Sequence, residues 1–441
     1  MPHLWRDCPE RLTKGFDAVR RGGAGTPAPP SVVGMQTRKI VYLDNAATSY
    51  FKPPRVMEAM VHFAEHIGAN PGRSGHPLAK EAARVVQSTR DNLARLFNVS
   101  DSSRIVFALN VTEALNAVFH GHLNKGDHVI ATDMEHNSVL RPLVHLQEAG
   151  FIDLDIAPCD RKGFLDIDAL TRLLRPRTRL VALNHASNVC GTLQDVAAVR
   201  DAIADVPLLL DTAQTAGHFP IDAKALGIDF LAFTGHKGLL GPQGTGGLYV
   251  REGIELRPFK RGGTGSQSDE LHQPEFMPDR MEAGTQNNVG IAGLGAAVGY
   301  ILEQGVENIR RHEEMLTAAF LKGIWDTYSV AVYGPLDASR QVATISLTFD
   351  STLLEESGQS LRCGSINLAW LEDDVSVEQA DGRLSDEYDI LIRAGLHCAP
   401  LAHKALGTFP EGTVRVSMGC FNTLEDVEVA VRAVKRIAAA R

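Results

Sequence analysis

Between residues 40 and 250 the sequence alternates short apolar runs with longer stretches of helical periodicity. The apolar runs predict strands at Ile40–Leu43, Arg104–Ala108, His128–Ala131, Arg179–Leu183, Pro207–Leu210, Phe230–Phe233 and Gly247–Val250. The helical stretches that lie between several of them are Leu78–Leu96, Thr112–His122, Ser138–Glu148 and Val196–Ala204. This alternation is typical of an α/β fold with a mostly parallel sheet that is covered by helices. Ligands of such sheets bind beyond the carboxyl ends of the strands.

The sequence predicts three regions. Residues 1–35 have no sustained apolar pattern, and we expect a flexible N-terminal extension there. Residues 36–290 form the predicted large domain, whose first residues are expected to pack on a smaller C-terminal α/β domain, residues 291–441. The smaller domain is predicted to begin with two helices and two strands, at Val289–Gln304, Val306–Trp325, Val330–Tyr333 and Val342–Phe349. Residues 350–388 are acidic and irregular, and we interpret them as an exposed loop or insertion, which could be a solvated surface or a partner surface.

Charge and cysteine content narrow the class of protein. The formal net charge is −9, from 44 basic and 53 acidic residues, which argues against nucleic acid or an anionic membrane surface as the main partner. No apolar run reaches the ~18 residues of a membrane span. Six scattered cysteines show neither a Cys-x-x-Cys motif nor a metal-ligand spacing. The sequence therefore predicts no metal site, no disulfide framework and a reducing, cytoplasmic location.

Two polar residues after buried strands point to pyridoxal phosphate (PLP). Lys237 lies just past the strand Phe230–Phe233, and Asp211 closes the strand Pro207–Leu210. A lysine amine forms a Schiff base with the aldehyde of this cofactor, and an acid keeps its pyridine nitrogen protonated. Because a carboxylate at the end of an apolar run needs a partner, a protonated pyridine suits Asp211, although helix capping would also explain it.

Other residues after strand ends fit the same site. The run Asn110–Glu113 follows a strand and opens a helix, so the Val111 backbone and the Thr112 hydroxyl could hold a phosphate, although the run is also a plausible helix start. His136 could stack on the cofactor ring and handle protons, and Thr234 and His236 could bind the phosphate. Amides such as Asn188 and Gln214 could bond the ring hydroxyl, although amides there are commonly turn residues.

The ordered set of motifs resembles the cysteine desulfurase and selenocysteine lyase family, within the class V aminotransferase group of fold-type I PLP enzymes. The matching stretches are Tyr42–Thr48, Asn110–Glu113, Met134–Asn137, Ser187–Thr192, Asp211–Gln214, Thr234–Lys237, Glu282–Thr285 and Arg393–Cys398. They run from about residue 40 to about residue 425. The short loop around the cysteine is similar to that of the second type of desulfurase, which usually passes its sulfur to a partner protein.

The resemblance assigns roles to individual residues. Lys237 would bind the cofactor aldehyde, His136 would stack on the ring, Asp211 would face the pyridine nitrogen, and Asn188 and Gln214 would bond the ring hydroxyl. The phosphate would be held by Val111, Thr112, Thr234 and His236. Thr285 would reach the phosphate of a neighbouring subunit, which implies a homodimer with composite sites. Arg415, with Arg393 and Asn45 beside it, would bind the substrate carboxylate.

Cys398 distinguishes between the reactions that PLP allows. The resemblance makes it the nucleophile that takes sulfur from L-cysteine, leaving alanine and an enzyme persulfide for an acceptor protein, for example in iron–sulfur cluster assembly. The glycine and proline that flank the loop, Gly395 and Pro400, argue against a buried structural cysteine. A nearby positive charge or proton acceptor would raise its thiolate fraction, and His397 or His136 could help. Selenocysteine lyase needs the same residues, whereas another class V aminotransferase or lyase would not use Cys398; a non-catalytic scaffold fits the intact set least.

Overall fold

The computed structural model describes residues 40–72, 75–327, 329–349 and 375–439. The predictions for residues 1–35 and for residues 350–374 of the acidic stretch lie outside the described residues. The helices are α1 Pro54–His62, α2 Pro77–Leu96, α3 Val111–His122, α4 Asn137–Glu148, α5 Ile167–Leu173, α6 Val196–Ile203, α7 Asn288–Gln304, α8 Val306–Ile324, α9 Val377–Tyr388, α10 Pro400–Leu406 and α11 Leu424–Ala439. The strands are β1 Val41–Tyr42, β2 Ile105–Ala108, β3 Asp127–Thr132, β4 Ile152–Ala157, β5 Thr178–Asn184, β6 Leu208–Asp211, β7 Phe230–Thr234, β8 Gly246–Val250, β9 Ala331–Tyr333, β10 Thr344–Thr348, β11 Ile390–Leu391, β12 Arg393–Gly395 and β13 Thr413–Ser417.

A seven-stranded sheet carries the strand ends on which the site depends. Its order is β2-β8-β7-β6-β5-β3-β4, and every strand except β8 runs in the same direction. This confirms the predicted α/β fold with a mostly parallel sheet. Strands β5 to β8 are buried on both faces, which explains their continuous apolar sequences. Strand β4 was not predicted, because its alternating Ile-Asp-Leu-Asp pattern belongs to a half-exposed strand at the sheet edge.

Helix α7 lies against the large sheet. It packs on α1 and α2, and its residues Ile291 and Leu294 belong to the same apolar core as strands β5 to β7. The predicted domain boundary at residue 290 therefore falls inside a helix whose apolar side contributes to the core of the large sheet.

The C-terminal part is built on an antiparallel sheet of order β12-β13-β10-β9, against which α8 and α11 pack. The opening segment joins this part, since β1 pairs with β11 in parallel and Val41 and Leu43 enter its core. Within the described residues no single helix is long and apolar enough to cross a membrane. The one helix pair that reaches that length and composition together, α7 and α8, bends by 80° at its junction.

The described end of the acidic stretch is helical, so the prediction of an irregular loop across residues 350–388 is wrong for α9. A capping box starts this helix: the hydroxyl of Ser376 accepts the N–H of Gln379, and the Gln379 side chain accepts the N–H of Ser376. Three apolar residues then follow at helical spacing and are buried, Val377, Ala380 and Leu384. The acidic residues between them, among them Glu378 and Asp381, concealed this periodicity.

Candidate active site

Neighbouring parallel strands bring the predicted cofactor residues to one edge of the large sheet. Asp211 ends β6, Thr234 ends β7, and His136 follows the end of β3. Asn188 follows β5, whose last residue pairs with Asp211 in register. Lys237 comes three residues after β7. Since the carboxyl ends of parallel strands lie at the same edge, these side chains converge as the sequence predicts.

Lys237 lies half-buried at the wall of an open pocket that Asn45, Gln214 and His218 also line. Burial lowers the pKa of its amine to about 8, an effect that the negative charge of Asp211 opposes and the positive charge of Arg415 reinforces. A lysine in this setting holds a substantial fraction of neutral amine near neutral pH. The amine can therefore attack a carbonyl group or accept a proton.

Asp211 is buried, with 7% of its surface exposed, and it accepts a hydrogen bond from the backbone N–H of Ala213 at 2.9 Å. Burial raises the pKa of its carboxyl group, although the Ala213 hydrogen bond and the charge of Lys237 act in the opposite direction. A cationic group placed against this carboxylate would remove most of the desolvation penalty. The protonated ring nitrogen of PLP is a group of that kind.

The predicted phosphate-binding end offers hydrogen-bond donors. The hydroxyl of Thr234 is buried and has no hydrogen-bond partner among the described residues. Val111 and Thr112 are the first residues of α3, whose cap is formed by Asn110 through a 3.0 Å hydrogen bond from the N–H of Glu113. A buried hydroxyl without a partner and a helix N-terminus are suited to an anion. The residues present therefore fit the phosphate of PLP.

His236 lies beside this group, and its ring Nδ1 is 3.1 Å from the hydroxyl oxygen of Thr48. Burial lowers the pKa of His236 to about 4, and the charge of Lys237 adds to the effect. The ring is therefore neutral at pH 7, and we expect it to offer a hydrogen bond to the phosphate and no charge.

His136 caps helix α4. Its Nδ1 accepts the backbone N–H of Ser138 at 3.0 Å, and it lies 2.9 Å from the Ser138 hydroxyl oxygen. The ring proton must therefore be on Nε2. Burial lowers the pKa of His136 to about 4, so the imidazole is neutral at pH 7. Ser138 was not predicted, because a serine at a helix start carries no signal beyond that of a capping residue.

The two amides predicted for the ring hydroxyl also hold backbone segments in place. Asn188 donates to the carbonyl oxygen of His397 at 2.7 Å, and Gln214 donates to the carbonyl oxygen of Ala46 at 3.0 Å. Each NH₂ group has two hydrogens, so one donor of each remains for a ligand. Asn188 thereby links the cofactor edge of the sheet to the loop that carries Cys398.

Cys398 is exposed, and its loop is fastened to the His136 segment, because its carbonyl oxygen accepts the N–H of Asn137 at 2.8 Å. His397 and Cys398 both adopt positive φ angles, 47° and 60°, which are uncommon for residues with a side chain. The guanidinium of Arg393 lies 3.9 Å from the thiol sulfur. This arrangement holds the thiol at the mouth of the site beside a positive charge.

The prediction that His397 could help the thiol as a positive charge is wrong, whereas its role as a proton acceptor stays a prediction. Its ring Nε2 donates to the carbonyl oxygen of Thr413 at 3.0 Å. Burial lowers the pKa of His397 to about 2, and the charge of Arg415 contributes, so the ring carries no positive charge at neutral pH. The cation beside the sulfur is Arg393, which the sequence placed only on the substrate side.

Arg415 is almost completely buried. Its guanidinium donates to Asp44 Oδ1 at 2.8 Å and to the carbonyl oxygen of Asn188 at 3.0 Å, and its Nε has no hydrogen-bond partner among the described residues. Arg393 is its cross-strand neighbour between β12 and β13. Two guanidinium groups side by side form a suitable site for a carboxylate. Asp44 was not predicted as a site residue, although its motif was noted.

The structure of the single chain leaves the predicted roles of Asn45 and Thr285 open. The amide of Asn45 donates to the carbonyl oxygen of Ser417 and to the side chain of Asn422, so only its oxygen is left to face the pocket. Thr285 is exposed on the surface of the single chain. Neither observation tests the role that the resemblance gives them.

Comparisons with known proteins agree with this geometry. The family model for aminotransferase class V matches residues 41–429. A probable cysteine desulfurase from Methanothermobacter thermautotrophicus is 33% identical over 409 residues, which cover 91% of the chain and 95% of that protein. A probable cysteine desulfurase from Mycolicibacterium paratuberculosis is 34% identical over 415 residues, and the chain spans only 56% of its length. The apo structure of a cysteine desulfurase from Thermococcus onnurineus superimposes with a TM-score of 0.80 at 31% identity, covering 91% of this chain and 95% of that one.

Proposed function

The chain belongs to the cysteine desulfurase family of the class V aminotransferases, and on that premise we propose that it converts L-cysteine to L-alanine and leaves a persulfide on Cys398. It is an enzyme of the PLP-dependent class. One observation favours desulfuration over transamination. The exposed Cys398 lies on a loop whose backbone accepts a hydrogen bond from the N–H of Asn137, next to His136. A transaminase on this scaffold has no need of a thiol at that place.

The cofactor, when bound, accepts the electron pair that is released when a bond to the substrate α-carbon breaks. The amine of Lys237 would hold the aldehyde and move the α-proton, a task to which its lowered pKa of about 8 is suited. Asp211 would stabilise the ring nitrogen in its protonated form. Arg415, with Arg393 beside it, binds the substrate carboxylate.

Cys398 then supplies the nucleophile. Its thiolate attacks the sulfur of the substrate, so a new S–S bond forms while the bond between that sulfur and the substrate β-carbon breaks. The released electron pair stays with the three-carbon fragment, which takes up a proton and leaves as alanine. The guanidinium of Arg393, 3.9 Å from the sulfur, places a positive charge beside the atom that attacks. No oxidant is needed, because one thiol and one C–S bond become one persulfide and one C–H bond.

We propose a homodimer and a sulfur-accepting partner protein as the functional context. The dimer is supported by exposed apolar side chains near Thr285. The backbone N–H of Gly284 bonds to the carbonyl oxygen of Gly263, which brings the residues after Gly263 close to Thr285. Among these residues, Leu271 is fully exposed and Phe276 is 46% exposed.

The accepting partner is supported by the exposed position of Cys398. A reducing, cytoplasmic location is supported by the free thiols among the described residues, namely Cys159, Cys190, Cys398 and Cys420.

The test mixes purified enzyme, PLP, L-cysteine and a reductant, and measures alanine and sulfide in the same sample. We expect equal amounts of both, and neither from Cys398→Ala. The matched control is Cys159→Ser, because the Cys159 thiol is given no role in the site and the backbone bonds of Cys159 to Asp133 would be kept. Sulfide with pyruvate in place of alanine, or undiminished release by Cys398→Ala, would indicate another lyase reaction. Turnover of L-selenocysteine, measured in parallel, distinguishes a selenocysteine lyase from a cysteine desulfurase.

A further inference from the structure

Three side chains from two helix N-termini form a continuous chain of hydrogen-bonding groups. The hydroxyl oxygen of Thr112, at the start of α3, lies 2.8 Å from that of Ser138, at the start of α4. The hydroxyl oxygen of Ser138 in turn lies 2.9 Å from Nδ1 of His136. Ser138 is buried, with 9% of its surface exposed. These groups belong to the phosphate end and to the ring-stacking side of the proposed cofactor site.

Helix capping does not account for the hydroxyl of Ser138. The cap of α4 is His136, whose Nδ1 accepts the backbone N–H of Ser138 at 3.0 Å. That bond uses no side-chain atom of Ser138, so an alanine would keep it. The hydroxyl is therefore free to serve another purpose, and the groups within its reach are Thr112 and His136.

We propose that Ser138 is a positioning residue that couples the phosphate-binding hydroxyl of Thr112 to the imidazole of His136. The proposal rests on the proposed function, since it presumes that PLP occupies this site. A hydroxyl has one proton to donate, so Ser138 can donate either to Thr112 or to His136, but not to both. When the Thr112 hydroxyl donates to a phosphate oxygen, its own oxygen becomes the acceptor for Ser138.

The direction in which the hydroxyl groups of Thr112 and Ser138 donate their protons then depends on whether the phosphate is bound. Without it, the Thr112 hydroxyl can donate to Ser138, and Ser138 can donate to His136. That second bond is weak, because Nδ1 has a single lone pair and already accepts the backbone N–H of Ser138. With the phosphate, the order becomes Ser138 to Thr112 to phosphate, and His136 is held by the backbone N–H of Ser138 alone. Hydrogen bonds in such a chain polarise one another, so the Thr112–phosphate bond is stronger with Ser138 behind it. Phosphate binding and the hydrogen bonding of the stacking imidazole are thus set together.

The test is a double-mutant cycle on PLP affinity. Apoenzyme is titrated with PLP, and binding is followed by absorbance, for the wild type, Ser138→Ala, Thr112→Val and the double variant. We expect Ser138→Ala to weaken binding by roughly 5- to 10-fold, the usual effect of one hydrogen bond. We expect the double variant to bind no more weakly than Thr112→Val, because both changes break the same chain. Ser138→Thr, which keeps a hydroxyl, should restore most of the affinity.

A second ligand distinguishes the contribution of the phosphate to the binding affinity from that of the ring. Pyridoxal, which lacks the phosphate, should bind Ser138→Ala and wild type equally well. Three results would each overturn the proposal. Ser138→Ala could bind PLP as tightly as the wild type, the losses of PLP affinity could multiply in the double variant, or Ser138→Ala could lose as much affinity for pyridoxal as for PLP. Ser376→Ala, which removes a hydroxyl at the start of the distant helix α9, is the control and should bind PLP as the wild type does. If the wild type takes up no PLP, the proposed function fails; if it does and the cycle is additive, only the role of Ser138 fails.

Discussion

Asn137 donates its backbone N–H to the carbonyl oxygen of Cys398 at 2.8 Å, which joins the loop of the nucleophile to the first residue of helix α4. The residue before Asn137 is His136, which we place on the cofactor ring. A second tie runs from the amide of Asn188 to the carbonyl oxygen of His397. Two elements to which we assign the cofactor therefore also hold the cysteine loop, in which two residues have left-handed backbone angles.

Lys237→Ala should abolish the visible absorption band of the bound cofactor, because no other amine would hold the aldehyde covalently. The purified variant would be compared by absorption spectroscopy with the wild type after both are loaded with PLP. Lys224→Ala, which removes an exposed lysine, is the control and should keep the band. A normal band in the Lys237 variant would contradict the assignment of the whole site.

Arg393→Ala should slow the alkylation of Cys398 near neutral pH. The guanidinium is 3.9 Å from the sulfur, and two charges at that distance in a solvated setting interact by about 1 kcal/mol or somewhat more. Losing an interaction of that size should slow the reaction near neutral pH by roughly 5-fold. The measurement is the rate of reaction with iodoacetamide between pH 6 and 10, in the absence of L-cysteine.

Two comparisons support that measurement. Arg393→Lys should fall between the wild type and the alanine variant, because a charge is kept but its position changes. Cys398→Ala reports the background reaction of the other thiols, and this rate is subtracted. An unchanged pH profile in Arg393→Ala would show that the arginine has no effect on the thiol.

The sequence predicted the strands and the residues at their ends well, because burial on both faces gives β5 to β8 unmistakable apolar runs. It was less informative where a role depends on the direction of a side chain. His397 precedes Cys398 in sequence, but its ring is turned towards Thr413, whereas Arg393 reaches the sulfur from β12. Ser138 was missed for a similar reason, since its neighbour Thr112 is 26 residues away in the chain.

The stability of the protein should fall as the pH is lowered from about 6.5 to about 4.5. Among the described residues, seven histidines have a lowered pKa in the folded state because of burial: His122, His136, His185, His236 and His403 to about 4, His397 to about 2, and also His128. Below the ordinary value of about 6.5 the unfolded chain binds protons that the folded chain does not, so the free energy of unfolding decreases with falling pH.

Buried carboxyl groups oppose this trend. The pKa of Glu135 is raised to about 8 by burial, and that of Asp211 is also raised, so the folded state binds protons there that the unfolded state lacks. The histidines outnumber these groups, and the net change keeps its sign. Urea unfolding followed by circular dichroism at pH 7.5, 6.0 and 5.0 tests this. A midpoint that rises towards pH 5 would contradict the prediction.

Arg90→Ala should destabilise the fold by about 3–5 kcal/mol, the usual cost of removing one partner of a buried ion pair. The guanidinium bonds to both carboxylate oxygens of Glu282, at 2.8 and 3.0 Å, and Glu282 also accepts the N–H of Phe107 at 2.7 Å. Removing Arg90 leaves that carboxylate buried without its counter-charge. The control is Arg55→Ala, whose pair with Glu303 is exposed and should contribute less than about 1 kcal/mol. Equal urea midpoints for the two variants would show that the buried pair is dispensable for stability.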